Sequence, residues 1–136
     1  MNALLREYVK KSYEELLSLA RSGLGEIMEY LSKDESTEFA ETVCAILIRA
    51  SIGVDGVLTE AEHRFYSDLL EEKIPFEKLE RNVLEDNAEA CTLANQIFDV
   101  SEEELKRPIL TFCLCFLAVD RDAAREESDF IVRLLA

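Results

Sequence analysis

The chain has 136 residues, a length typical of one domain that buries its own core without disulfide or metal support. Apolar residues make up 49% and charged residues 32% of it, which excludes a disordered tail. The formal net charge of −14 argues against binding to a nucleic-acid backbone or an anionic membrane surface, because both need lysine and arginine. With only two prolines and four glycines, the sequence predicts a single all-helical domain over residues 1–136.

The amino-terminal third is predicted to form two amphipathic helices and the start of a third. Apolar residues recur at helical spacing over 3–20, and the segment has no uninterrupted apolar run of the signal-peptide kind. Gly23 and Gly25 are expected to interrupt this pattern, so that a short second helix covers about 26–32. The third helix is predicted to start near Ser36 or Thr37.

Two segments are apolar almost all round and are predicted to be the central, buried helices of the fold. They cover residues 43–52 and 109–119. We expect Leu47 on the first and Phe112 on the second to share the core. The second is the longest apolar run and is too short to cross a bilayer, so we expect no membrane-spanning helix.

The fourth helix is predicted to start at Thr59, because Glu62 lies three residues later and the pair forms a capping box. Its predicted core face consists of Ala61, Phe65, Leu69 and Leu70. Pro75 is expected to open a short fifth helix, and a sixth is expected to end near Asp99. Ser101 and Glu104 predict a second capping box, which opens the other central helix, and a final helix from about Ala124 is expected to bury Phe130, Ile131, Leu134 and Leu135.

Two stretches related by an offset of 65 residues predict an internal duplication. The first reads VDGVLTEAE from Val54 and the second VDRDAAREE from Val119, each directly after an apolar helix. The offset carries Asp55 onto Asp120 and Glu62 onto Glu127. Ala124 stands in the second copy where Thr59 stands in the first, so the acids are kept where the capping hydroxyl is not.

These paired turns resemble the signature of the tellurite-resistance TerB-like family, in which Ala-Asp-Gly is followed by a glutamate at the head of a helix. The resemblance covers residues 36–136. It implies a compact bundle of about seven helices with a pseudo-twofold relation between its halves. It also implies an acidic cluster regarded as a divalent-metal site, and a role in stress or metal-oxyanion resistance.

Four acidic residues are therefore the predicted metal ligands: Asp55, Glu62, Asp120 and Glu127. If the pseudo-twofold brings both turns together, their carboxylates repel unless a cation binds between them. Oxygen ligands of this kind favour Mg²⁺, Ca²⁺ or Mn²⁺. A purely structural interpretation stays open, because capping accounts for Glu62 and an Asp can hydrogen-bond its own turn.

Catalysis has little support in the sequence. His63 is the only histidine and is predicted to be exposed at the helix start. The four cysteines lie within apolar helical stretches and are predicted to be free, buried and inert, as in a reducing cytoplasm: Cys44, Cys91, Cys113 and Cys115. No nucleophile motif or phosphate-binding loop is present.

The leading hypothesis is thus a non-enzymatic, cytoplasmic TerB-like module that binds a divalent cation or a partner protein through its acidic turns. One alternative is a protein–protein interaction or homo-oligomerisation domain whose acids are only structural. A second, minor alternative is a metal-dependent hydrolase that uses the same carboxylates.

Overall fold

The structure is a computed structural model that describes residues 3–34, 36–52 and 56–119. Seven α-helices and no strand occur in these residues, which confirms the all-helical prediction. The helices are α1 (Ala3–Val9), α2 (Tyr13–Asp34), α3 (Thr37–Ile52), α4 (Glu60–Leu70), α5 (Phe76–Leu84), α6 (Asn87–Val100) and α7 (Glu103–Val119). No described helix combines the length and the apolar character needed to cross a membrane.

Helix α2 runs through both glycines, so the predicted interruption there is wrong. The chain breaks instead between α1 and α2, where Ser12 and Glu15 exchange hydrogen bonds of 3.1 Å and set the start of α2. An interior glycine costs a helix only about 1 kcal/mol. Packing offsets this cost at Gly23, because a Cβ there would lie 3.2 Å from the carbonyl oxygen of Pro108 on α7.

Helices α3 and α7 form the centre of the bundle, as predicted. Leu47 and Phe112 are completely buried, and the apolar stretch of α7 is buried at eight of its eleven positions, 109 and 112–118. Helix α7 packs antiparallel to α2: Gly23 meets Pro108, while Tyr30 near the end of α2 donates a 2.8 Å hydrogen bond to Glu102 just before α7. Helix α3 packs against α2, α6 and α7.

A row of edge-on aromatic rings joins α4 to α2 and α7. The ring of Phe65 on α4 lies 5.7 Å from that of Tyr13 and 5.1 Å from that of Phe116, and Phe116 lies 5.3 Å from Phe112. Phe65 is completely buried, as the sequence predicted. These ring contacts orient the face of α4 that carries Phe65 toward the core. They therefore determine which residues at the start of that helix are buried.

The predicted capping box of Ser101 and Glu104 is wrong. The Ser101 hydroxyl donates backward to the carbonyl oxygen of Ile97, so Ser101 ends α6. The first turn of α7 closes instead on the carbonyl oxygen of Glu102, which accepts 2.9 Å bonds from the backbone of Leu105 and Lys106. A serine hydroxyl can bond either way, and the short connection to α6 leaves it on the earlier helix.

The predicted final helix from Ala124, with its buried Phe130, Ile131, Leu134 and Leu135, lies outside the described residues. The second copy of the duplicated turn lies there too, from Asp120 onward. The pseudo-twofold relation between the halves therefore stays a prediction.

Candidate functional site

The head of α4 contains the capping box that the sequence predicts. Thr59 is extended, with φ −96° and ψ 163°, and its Oγ1 accepts a 3.2 Å hydrogen bond from the backbone N–H of Glu62. In return, Oε1 of Glu62 accepts from the backbone N–H of Thr59 at 3.0 Å and from its hydroxyl at 3.1 Å. The Thr59 hydroxyl thus accepts one hydrogen bond and donates another, which fixes its rotamer.

Glu62 is buried as well as bonded, with only 2% of its surface exposed. It shares the inward stripe of α4 with Phe65 and Leu69 at helical spacing, whereas Ala61, predicted for the core face, is exposed. A carboxylate therefore occupies the first core position of this helix. The positive end of the helix dipole and the hydrogen bonds from Thr59 stabilise its negative charge there.

The turn before α4 requires a glycine. Gly56 has a φ of 78°, in the left-handed region where a residue with a Cβ is strained. Leu58, two residues on, is buried at 3% exposure and anchors the turn to the core. Asp55 directly precedes Gly56 in the sequence and lies outside the described residues.

Of the four predicted metal ligands, the structure describes only Glu62. Asp55, Asp120 and Glu127 lie outside the described residues, so their proximity to Glu62 stays a prediction. Within residues 3–34, 36–52 and 56–119, no group of three histidine, cysteine, aspartate or glutamate side chains could hold a metal ion together. A metal site at this position would therefore require acids from the turn at 53–55 or from the segment after Val119.

His63 is not the exposed side chain that the sequence predicted. It is half-buried, and its Nε2 donates a 2.6 Å hydrogen bond to the carbonyl oxygen of Ile74. Its ring packs edge-on against Phe76 at 5.5 Å between centroids. The chain between α4 and α5 folds back over the histidine, so that Nε2 ties this connection to α4.

Three of the four cysteine thiols are buried, and burial raises their pKa. Burial raises the pKa of Cys113 and of Cys115 to about 12 and that of Cys44 to about 11, so all three stay protonated at neutral pH. These three cysteines are free and buried, as predicted. Cys91 is only half-buried, which corrects the prediction for that residue.

A groove between α2, α3, α4 and α5 is the feature that the sequence analysis missed. It has a volume of about 670 Å³ and a mostly apolar lining in which Arg49 is the one described cation. Arg49 was visible as a charged residue inside an otherwise apolar helix. No periodicity reveals a groove, however, because its walls come from four separate helices.

Comparison with known proteins adds no relative: the chain matches no protein-family model, no curated protein and no solved structure.

Proposed function

We propose that this chain is a non-enzymatic, TerB-like helical module that binds a divalent cation at its acidic turns and serves in the response to stress or metal oxyanions. The observation that carries the proposal is the burial of Glu62. Its side chain lies on the core face of α4, seven residues after Asp55 in the sequence.

Capping explains the hydrogen bonds of Glu62 but does not explain its burial. Glu15 makes the same pair of bonds with Ser12 at the head of α2 and is exposed. Removing a charge from water costs several kcal/mol unless hydrogen bonds or an opposite charge compensate. A cation bound beside Glu62 would add to the stabilisation that its existing interactions provide, and carboxylate oxygens select Mg²⁺, Ca²⁺ or Mn²⁺.

The state of the nucleophilic side chains supports a binding role. Burial keeps the thiols of Cys44, Cys113 and Cys115 protonated, and Nε2 of His63 is engaged with a backbone carbonyl. None of these four side chains is arranged to attack a substrate or to accept its proton.

The alternative is an interaction or homo-oligomerisation domain in which the acids are structural. One observation favours it: Oε1 of Glu62 already accepts two hydrogen bonds from Thr59, so the side chain has a stabilising role without a cation. No described contact favours a metal-dependent hydrolase over either of these two functions.

Thermal unfolding of the full chain in Ca²⁺, Mg²⁺ or Mn²⁺ separates the two functions. We compare the wild type with Glu62→Gln, which keeps an oxygen acceptor for Thr59 but removes the charge, and with Glu15→Gln as the matched control. A cation at a hundredfold excess over its Kd should stabilise the wild type and the control by about 2.7 kcal/mol. Glu62→Gln should lose that response. Absence of a shift in the wild type at millimolar metal, or an equal shift in Glu62→Gln, would favour the structural interpretation.

A further inference from the structure

The groove between α2, α3, α4 and α5 is lined by pairs of residues that lie four positions apart on each helix. Those pairs are Leu24 and Met28, Cys44 and Ile48, Tyr66 and Leu70, and Leu79 and Val83. Residues four apart form the ridges of a helix surface, so the walls of the groove are ridges with an unfilled space between them. The lining on α3 runs from Glu41 to Arg49, which gives the groove a length of about 12 Å along that helix.

This shape fits a helix. A length of about 12 Å corresponds to roughly two helical turns, over which an amphipathic helix places apolar side chains at positions i, i+4 and i+7 between the ridges. Ala45 is exposed on α3 within the groove, and its small side chain lets the backbone of another helix approach closely. The described residues contain no strand, so they offer no sheet edge to which an extended peptide could add.

The charged side chains that this groove exposes are acidic. Glu41 and Glu85 are exposed, whereas Arg49, the one described cation of the lining, is half-buried. The guanidinium of Arg49 is also engaged within the chain, since its Nη2 donates to the carbonyl oxygen of Glu85. The groove therefore combines an apolar wall with a negative rim, which attracts a cationic partner and repels an anionic one.

The charge of the chain selects among the possible occupants of the groove. A second copy carries the same net charge of −14 and would be repelled. The chain's own segment 120–136 contains five acidic residues and three arginines, so its net charge is negative too. A basic partner is attracted by the rim and can bury an apolar stripe in the groove, so it fits both properties of this surface.

We propose that this groove binds an amphipathic, basic helix of a partner protein. The apolar stripe of that helix lies against the paired wall residues, and its lysine or arginine side chains lie beside Glu41 and Glu85. Glu62 does not line the groove, and the test uses no metal, so its outcome is independent of the proposed cation site.

Calorimetric titration of the full chain with synthetic helical peptides tests the chemistry of the partner. The first peptide, about four helical turns long, has leucine at positions i, i+4 and i+7 and lysine on its other face, and it should bind. A second peptide replaces every lysine with glutamate and should bind at least about tenfold more weakly. A third has the composition of the first in an order that gives no apolar stripe, and it should lose at least as much affinity.

A charge-reversal variant with a matched control tests the rim. Glu41→Lys combined with Glu85→Lys should weaken binding of the lysine peptide by about tenfold. The control, Glu7→Lys combined with Glu26→Lys, has the same net charge but changes exposed glutamates outside the lining. It should bind within about twofold of the wild type, because salt screens exposed charges that are distant from the peptide.

A second variant tests the apolar wall. Ala45→Trp fills the groove and should abolish binding of the lysine peptide. Its control, Ala3→Trp, adds the same side chain at an exposed position of α1 outside the lining and should bind as the wild type does. Thermal unfolding of each variant separates a loss of affinity from a loss of fold, and the rim variant tests the groove even if Ala45→Trp does not fold.

The proposal is overturned if the folded full chain does not bind the lysine peptide, or if it binds the glutamate peptide equally well. It is also overturned if the folded groove variants bind as tightly as their controls, because general attraction to an acidic protein would then explain the binding. A dimer in sedimentation that Ala45→Trp dissociates would overturn it as well, since the groove would then be an interface between two copies of the chain.

Discussion

Helices α2 and α4 begin with the same four-residue capping motif, but its glutamate is exposed in α2 and buried in α4. Ser12 with Glu15 and Thr59 with Glu62 each exchange two backbone-to-side-chain hydrogen bonds of 3.0–3.2 Å. Glu15 is exposed, whereas Glu62 keeps only 2% of its surface in contact with solvent. The local sequence therefore determines the bonds, and the packing of each helix determines whether its glutamate lies in water or in the core.

The difference follows from the apolar stripe of each helix. Helix α2 buries Leu16, Leu17 and Ala20, and Glu15 lies to one side of that stripe. In α4 the stripe through Phe65 and Leu69 extends backward onto Glu62 itself. The same capping residue is thus a surface feature in one helix and a core position in the other, and substitutions should affect the two helices unequally.

The largest difference is expected on truncating the two glutamates. Glu62→Ala leaves the partly buried N–H and hydroxyl of Thr59 without this acceptor, which should lower the free energy of unfolding by about 1–3 kcal/mol. Glu15→Ala exposes its donor to water, which replaces the lost bond, so its effect should be clearly smaller. Urea unfolding of both variants measures the difference, and equal effects would show that burial of Glu62 has no energetic consequence.

A similar loss of stability is expected from a substitution in the middle of α2, because the contact of α2 with α7 stabilises this helix more than its exposed start does. Gly23→Ala places a Cβ 3.2 Å from the Pro108 carbonyl oxygen and should destabilise the fold by about 1–3 kcal/mol. Gly25→Ala meets no atom within 4 Å among the described residues and should stabilise it by about 0.4–1 kcal/mol. Thermal unfolding of the pair checks the sign of each change, and two stabilising substitutions would contradict the close contact.

A smaller difference is expected for the capping hydroxyls. Thr59→Ala should cost about 0.5–2 kcal/mol, while Thr59→Ser, which keeps the hydroxyl, should stay close to the wild type. Ser12→Ala should cost less than Thr59→Ala, because solvent reaches the amide that it leaves. Chemical denaturation measures the free energy of unfolding of the three variants. A larger loss for Ser12→Ala than for Thr59→Ala would contradict the prediction.

The smallest effect is expected for the pH dependence of the stability that the exposed Ser12–Glu15 capping pair provides. Hydrogen bonds from the backbone and side chain of Ser12 lower the pKa of Glu15 below its ordinary 4.5. Its stabilising contribution is therefore complete above pH 4.5 and disappears as the pH falls through the lowered value. The melting temperatures of wild type and Glu15→Gln should converge over that interval, and a constant difference down to the lowest pH would contradict the lowered pKa.

The features that the sequence predicted correctly are those determined by neighbouring residues. The Thr59–Glu62 box, the start of α3 at Thr37 and the burial of α3 and α7 all follow from local spacing. The break before α2 has the same capping spacing, with Ser12 followed three residues later by Glu15. It was missed because apolar residues continue at helical spacing on both sides of it.

The errors have a tertiary origin. Gly23 does not end α2, because its missing Cβ allows α7 to approach. His63 is not exposed, because the chain at Ile74 folds back over it. The burial of Glu62 and the groove around Arg49 depend on helices distant in sequence, so no local pattern could indicate them.

The central claim is that the buried Glu62 is a cation ligand as well as a cap. A crystal of the full chain soaked in Mn²⁺, with anomalous scattering collected at the manganese edge, tests it directly. We expect an ion within about 2.0–2.6 Å of a Glu62 carboxylate oxygen, the range for hard cations, and no ion in Glu62→Gln. Density that shows no ion near Glu62 at saturating Mn²⁺, with both bonds to Thr59 intact, would contradict the claim and leave Glu62 as a buried cap.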